Sequence, residues 1–188
     1  MKAHLIFLFF SLLANVAIGQ TISKVDNEDY EVINQITNSL IEGRKQLYVK
    51  DKDTTIALYK ESLIFHDQKT FFTKETFEEY FYTPIDSVKI KKLIKSMNFE
   101  YLANQKREEV NWNLSKFKYP FIKYSESTPY ETIRFSVSPP IYSKDKKVVF
   151  IFFSNPCNYD GCGATTVKVY KKVNNKWVWY LNFPITLS

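Results

Sequence analysis

The sequence predicts an α+β domain in which N-terminal helices pack on a C-terminal antiparallel β-meander of about four strands, with curvature of the sheet allowed. Three observations predict it. Apolar residues in the first half recur at three- and four-residue steps, the period of a helix with one buried face. Val148 to Phe153 is an unbroken apolar run, short enough for a strand and bounded by polar residues. After about Arg134, apolar and polar residues alternate, and Asn174-Asn175 supplies a tight hairpin turn.

Taken in order, the first element is a helix from about Glu28 to Ile41, with Tyr30, Ile33, Ile36 or Thr37, and Leu40 on one face. Asp26 or Asn27 caps its start and Gly43 ends it. Gln46 to Val49 and Thr54 to Tyr59 flank the polar turn Lys50-Asp51-Lys52-Asp53 and read as a hairpin. Thr76-Phe77-Glu78-Glu79 matches a capping box. A further helix starts near Asp86, with Val88, Ile90, Leu93, Ile94 and Met97 buried and lysines outside. Phe99 to Lys106 forms a last short helix. Ile133, Phe135 and Val137 then alternate until Pro139-Pro140 stops pairing. Val167 and Val169 alternate with Thr166, Lys168 and Tyr170, and Trp177 to Phe183 completes the meander. Side chains alternate faces along a strand, so Val148–Phe153 must be covered on both sides. It belongs in the middle of the sheet, with helices on one face. The other face is left for a curl of the sheet, a ligand or a second subunit.

Met1 to Gly19 reads as a secretory signal peptide: Lys2 and His4 first, then the apolar run from Leu5, then small residues Ala17 and Gly19 before Gln20. Asn15 interrupts the run too soon for a membrane span. The expected organisation is a signal peptide over 1–19 and one α+β domain over 20–188, exported to the periplasm or secreted. The mature chain is not expected to span a membrane.

Composition removes several functions. The four glycines, Gly19, Gly43, Gly161 and Gly163, form no G-x-x-x-x-G-K-[ST] or G-x-G-x-x-G loop, so phosphate-cradling folds of those classes are excluded. The formal charge is +6, with basic residues scattered in groups such as Lys89, Lys91, Lys92 and Lys95, and Lys144, Lys146 and Lys147. These describe either a solvated surface or attraction to anionic envelope lipid or polysaccharide. No nucleic acid partner is expected for an exported protein.

Cys157 and Cys162 enclose Asn158-Tyr159-Asp160-Gly161. In an exported chain so close a pair reads as a disulfide. Zinc would need four ligands, and thioredoxin-type redox motifs have two intervening residues. No metal and no cofactor is expected. So short a loop restricts the unfolded chain by about 2 kcal/mol, enough to fix a loop tip.

Ser138-Pro139-Pro140-Ile141-Tyr142-Ser143-Lys144-Asp145-Lys146-Lys147, the apolar strand, the Cys157–Gly163 loop and Tyr170-Lys171-Lys172-Val173-Asn174-Asn175-Lys176-Trp177 together resemble a group of small exported proteins of Bacteroidetes-type bacteria, with Tyr101 to Gln105 as a weaker addition. The likeness covers roughly the last third of the chain. It implies export and a stapled hairpin, and it carries over no activity or catalytic residue.

His66, followed by Asp67, is the one histidine beyond the signal segment. It is either the general base of a small exported hydrolase or a polar residue at a strand end, and no G-x-S-x-G or H-E-x-x-H accompanies it. Glu78/Glu79 and Glu108/Glu109 are adjacent pairs whose side chains diverge, unlike carboxylates facing across a glycosidase cleft. Asn158 and Asp160 offer calcium only one carboxylate. Tyr119, Phe121, Tyr124, Tyr130 and Tyr142, with Trp112 and Trp179, form either a sugar-stacking surface or ordinary core. The expected function is a non-catalytic envelope or extracellular domain that binds a ligand or partner, with the His66 hydrolase as the alternative.

Overall fold

A computed structural model of the protein describes residues 25–47, 56–64, 68–80, 86–105, 107–127, 134–156 and 163–185. Five helices are described: α1 (Asn27–Leu47), α2 (Gln68–Phe71), α3 (Lys74–Glu79), α4 (Ser87–Ser96) and α5 (Phe99–Ala103). Seven strands accompany them: β1 (Ile56–Leu58), β2 (Ile122–Tyr124), β3 (Arg134–Val137), β4 (Ile141–Tyr142), β5 (Val148–Pro156), β6 (Gly163–Val173) and β7 (Lys176–Ile185). The α+β class therefore holds, with one mixed sheet ordered β2-β1-β3-β5-β6-β7 and β4 added on β5. β5, β6 and β7 form the antiparallel meander. The sheet exceeds the expected four strands because β1 lies parallel between β2 and β3.

β5 sits inside the sheet and alternates between two cores, as its apolar run requires. Val149, Ile151 and Phe153 join Tyr30, Ile33 and Ile36 of α1, together with Trp112 and Phe117. Val148, Phe150 and Phe152 join Phe71, Phe72 and Phe77 of the α2–α3 segment, with Ile90 and Leu93 of α4 and Leu102 of α5. This corrects the expectation of helices on one face only. α1 and the segment around Trp112 and Phe117 cover the second face from within the chain, so β5 leaves no open face for a ligand.

The helix ends follow side-chain capping. Asp26 accepts from the Asp29 amide and Asp29 accepts from the Asp26 amide, each at 3.0 Å, a reciprocal box at the start of α1. α1 continues through Gly43 to Leu47, so the glycine does not end it, and Gln46 and Leu47 are helical where a strand was expected. A helical glycine costs only about 1 kcal/mol, which does not stop a long helix. The expected capping box at Thr76 is displaced: Thr73 caps α3, its hydroxyl accepting from the Thr76 amide at 3.1 Å. α4 starts beside Asp86 as expected, with Asp86 as its cap, but Val88 faces solvent. Asn98 caps α5, which ends at Ala103, short of Lys106. No described helix is long and apolar enough to cross a membrane.

Asn174 and Asn175 turn the β6–β7 hairpin with φ of 49° and 60°, the left-handed pair a two-residue turn needs. Farther along, Val169 pairs with Leu181 while Tyr170 pairs with Trp179. Tyr180 is thus the extra residue of a β-bulge. The bulge switches faces: Trp177 belongs to the α1 core, Leu181 and Phe183 to the α2–α5 core.

Candidate functional site

The bulge at Tyr180 and the first turn of α4 build a basic and aromatic face. Asp86 holds the turn, accepting from the Lys89 amide at 3.0 Å and pairing with the Lys89 ammonium at 3.3 Å. The hydrogen bond from the Lys89 amide keeps the Asp86 carboxyl below its ordinary pKa. The Tyr180 hydroxyl donates to the Lys89 carbonyl at 3.2 Å, fastening β7 to α4. Lys89 Nζ then lies 5.8 Å from the ring centres of both Trp179 and Tyr180. Lys171 Nζ, from β6, stands 3.8 Å from the Tyr180 ring centre, within cation–π range. Burial lowers the Lys171 pKa, and the Lys92 charge lowers it further.

Exposed apolar side chains stand on the same elements: Val173 and Val178 lie on the Lys171 side of the β6–β7 ladder, and Trp179, paired with Tyr170, turns to the other side at the sheet edge, its ring centre 5.8 Å from Lys89 Nζ. Trp179 is 57% exposed, Val178 48% and Val173 51%, all on the β6–β7 hairpin, and Val88 of α4 is 60% exposed. The other large apolar side chains exposed among the described residues, Ile64 and Phe121, stand apart on other segments. Exposed apolar groups gathered at one place mark an interaction surface, whereas single ones need no explanation. β7 is also an edge strand, where natural sheets place lysines against unwanted pairing.

A second polar cluster is buried. The Tyr142 hydroxyl donates to Asp29 at 2.8 Å, and the Arg107 guanidinium carbon lies 5.8 Å from the Tyr142 ring centre. Gln105 serves β4 as a substitute strand neighbour, donating to the Tyr142 carbonyl at 2.7 Å and accepting from its amide at 3.3 Å. Burial raises the pKa of Asp29 and of Tyr142, and lowers that of Arg107. Alongside, Lys172 meets Glu28 at 2.6 Å. Together these contacts weld the start of α1 to the sheet. Near them Gln68, Arg107, Glu108 and Ser138 line a cleft of about 30 Å³, the room of roughly one water molecule.

The structure scatters the other sequence candidates. Trp112 is core, edge-on to Tyr30 at 5.8 Å. Tyr119 bonds Asn38, Tyr124 donates to the Trp112 carbonyl at 2.7 Å, and Tyr142 is buried. Those tyrosines are structural, and Phe121 is exposed away from Trp179. Glu78 pairs with Lys74 one helical turn away at 3.4 Å; Glu79 and Glu109 are exposed, and Glu108 edges the small cleft. Among the described residues no three acidic, histidine or cysteine side chains gather as a metal ion would require. His66, Asp67, Cys157, Cys162, Asn158, Asp160 and Tyr130 lie outside the described residues. Sequence reasoning named Trp179 but missed its lysine neighbours. The run Trp177-Val178-Trp179-Tyr180, which breaks the alternation of an edge strand, was the available sign of a bulge.

Comparison with known protein families, with curated proteins and with solved structures finds no match to the chain.

Proposed function

We propose that the protein is an exported envelope or extracellular domain that binds a partner through the face formed by α4 and the β6–β7 hairpin. The observation that carries this reading is the exposure of Trp179 beside Val178, with Lys89 and Lys171 fixed against the neighbouring Tyr180 ring. An indole left in water amid anchored cations is a costly surface for a free protein and a productive one for a bound one. The signal-like segment before Gln20 and the likeness to small exported proteins support the location.

The test places a photo-crosslinking side chain at position 178 or, as a control, at position 121. In envelope material from the cells that make the protein, adducts are expected from position 178 and not from 121. Equal adducts at both positions, or adducts from 121 alone, overturn the assignment of this face. Intact mass of the exported protein checks the location, with a chain starting at Gln20 expected.

A further inference from the structure

We infer that the exposed edge formed by α4 and the β6–β7 hairpin seats on an anionic lipid surface, with Trp179, Val178 and Val173 in the interfacial layer and Lys92 and Lys171 on lipid phosphates. The inference rests on the binding-face reading and adds the partner's chemistry. Two properties of the face must be satisfied together. Val173, Val178 and Trp179 are apolar and about half exposed, at and beside a hairpin tip whose residues Val173 to Lys176 all face solvent. Lys92 and Lys171 have no acidic partner among the described residues and repel each other. An anionic polysaccharide would neutralise the lysines and leave the valines in water. A neutral sugar would stack on Trp179 and leave the lysines unanswered. The headgroup region of an anionic bilayer answers both, since indole rings favour that layer and lysines keep their ammonium groups at the phosphates while their stems lie along apolar surface. Asp86, the carboxylate on this face, is already held by Lys89 and the first turn of α4, so it opposes anionic lipid little.

The three tryptophans make the test specific. Trp112 and Trp177 are 1% and 3% exposed, so a quencher in the acyl chains reaches Trp179 alone. The probe is a vesicle of equal parts phosphatidylglycerol and brominated phosphatidylcholine, compared with brominated phosphatidylcholine alone, with the same N-terminus in every protein sample. Quenching is expected with the anionic vesicles, and it is expected to vanish in Trp179→Phe. In about 0.5 M salt, where charges are screened within a few ångströms, binding is expected to fail. Lys92→Glu with Lys171→Glu is expected to lower vesicle partitioning about tenfold or more. Lys92→Glu alone, at an exposed helix position, keeps the charge arm readable if the double variant is less stable.

Equal quenching by neutral vesicles, or none that depends on Trp179, overturns the lipid assignment. Should crosslinks from position 178 persist on a protein or polysaccharide while vesicles fail, the binding face stands and the lipid partner falls. Shielding of Trp179 that grows with protein concentration, without vesicles, identifies a second copy as the occupant and also overturns it.

Discussion

The Tyr142 hydroxyl donates a 2.8 Å hydrogen bond to the Asp29 carboxylate, joining β4 to the first turn of α1 across 113 positions of sequence. Both side chains are buried, and Asp29 also serves as the reciprocal cap of its own helix. Tyr142→Phe removes one acceptor-directed hydroxyl from a buried carboxylate and keeps the ring. The expected cost is about 1.5–3 kcal/mol, read as a lower thermal midpoint; an unchanged midpoint would show that the bond contributes nothing.

Asp29 also gives stability a pH dependence of unusual sign. Burial raises its pKa above the ordinary 3.8, against the Asp26 amide, the Tyr142 hydroxyl and the Arg107 charge. The folded protein therefore holds this proton more tightly than the unfolded chain, and stability falls as pH rises through the window that opens at 3.8. Asp29→Asn cannot ionise, so its stability relative to the parent is expected to grow with pH across that window. Asp86 has the opposite sign, since its carboxyl is held below 3.8 and its contribution is lost as pH falls. Asp86→Asn should lose ground to the parent as pH rises. Paired urea titrations at several pH values read both slopes, and parallel curves would refute the assignment.

The hairpin turn offers a stabilising change. Asn175 holds φ of 60°, which glycine adopts without the clash an L-residue suffers. Asn175→Gly is expected to be neutral or to stabilise by a few tenths up to about 1 kcal/mol, whereas Asn174→Val should cost about 1–2 kcal/mol. A destabilised glycine variant would mean that the Asn175 side chain makes a contact worth more than the strain.

A disulfide between Cys157 and Cys162 is the fourth expectation. The last described pair of the β5–β6 ladder is Pro156 with Gly163, and the two cysteines are the next residues inward along the sequence from each. Thiol labelling without reductant should leave both unmodified in exported protein, and labelling of both would exclude the bond. Replacing both with serine should cost no more than about 2 kcal/mol, because the loop is short.

His66→Ala is expected to leave the fold and the Trp179-dependent binding intact. Hydrolytic activity that this substitution abolished in a folded protein would put the hydrolase alternative in place of the binding domain.

Long or strongly patterned elements were legible in the sequence. Val148–Phe153 demanded cover on both faces and an interior place, and Asn174-Asn175 demanded a turn, because each is a local steric or burial requirement. β1 was legible as a strand within Thr54–Tyr59, but not the parallel pairing with β2 and β3 that replaces the expected hairpin, and β2, Ile122–Tyr124, is three residues, too short to show a period. Their pairing is set by partners far along the chain, which no local window contains. The covering of the second face of β5 was missed for the same reason, since it depends on where α1 docks. Trp179 was visible as an aromatic residue, but its meeting with Lys89 and Lys171 depends on a bulge that alternation alone does not place.

The parallel placement of β1 bears on the order in which the molecule can assemble. Its neighbours, Ile122–Tyr124 and Arg134–Val137, are made long after it, and α1 packs on Trp112, Phe117 and the β5 side chains, all of which also follow it by many residues. Distant pairing carries its entropic cost before any contact offsets it. A growing chain thus holds its earliest segments uncommitted until most of its length exists, the condition a polypeptide needs if it is to be threaded, still pliable, through a narrow translocation channel.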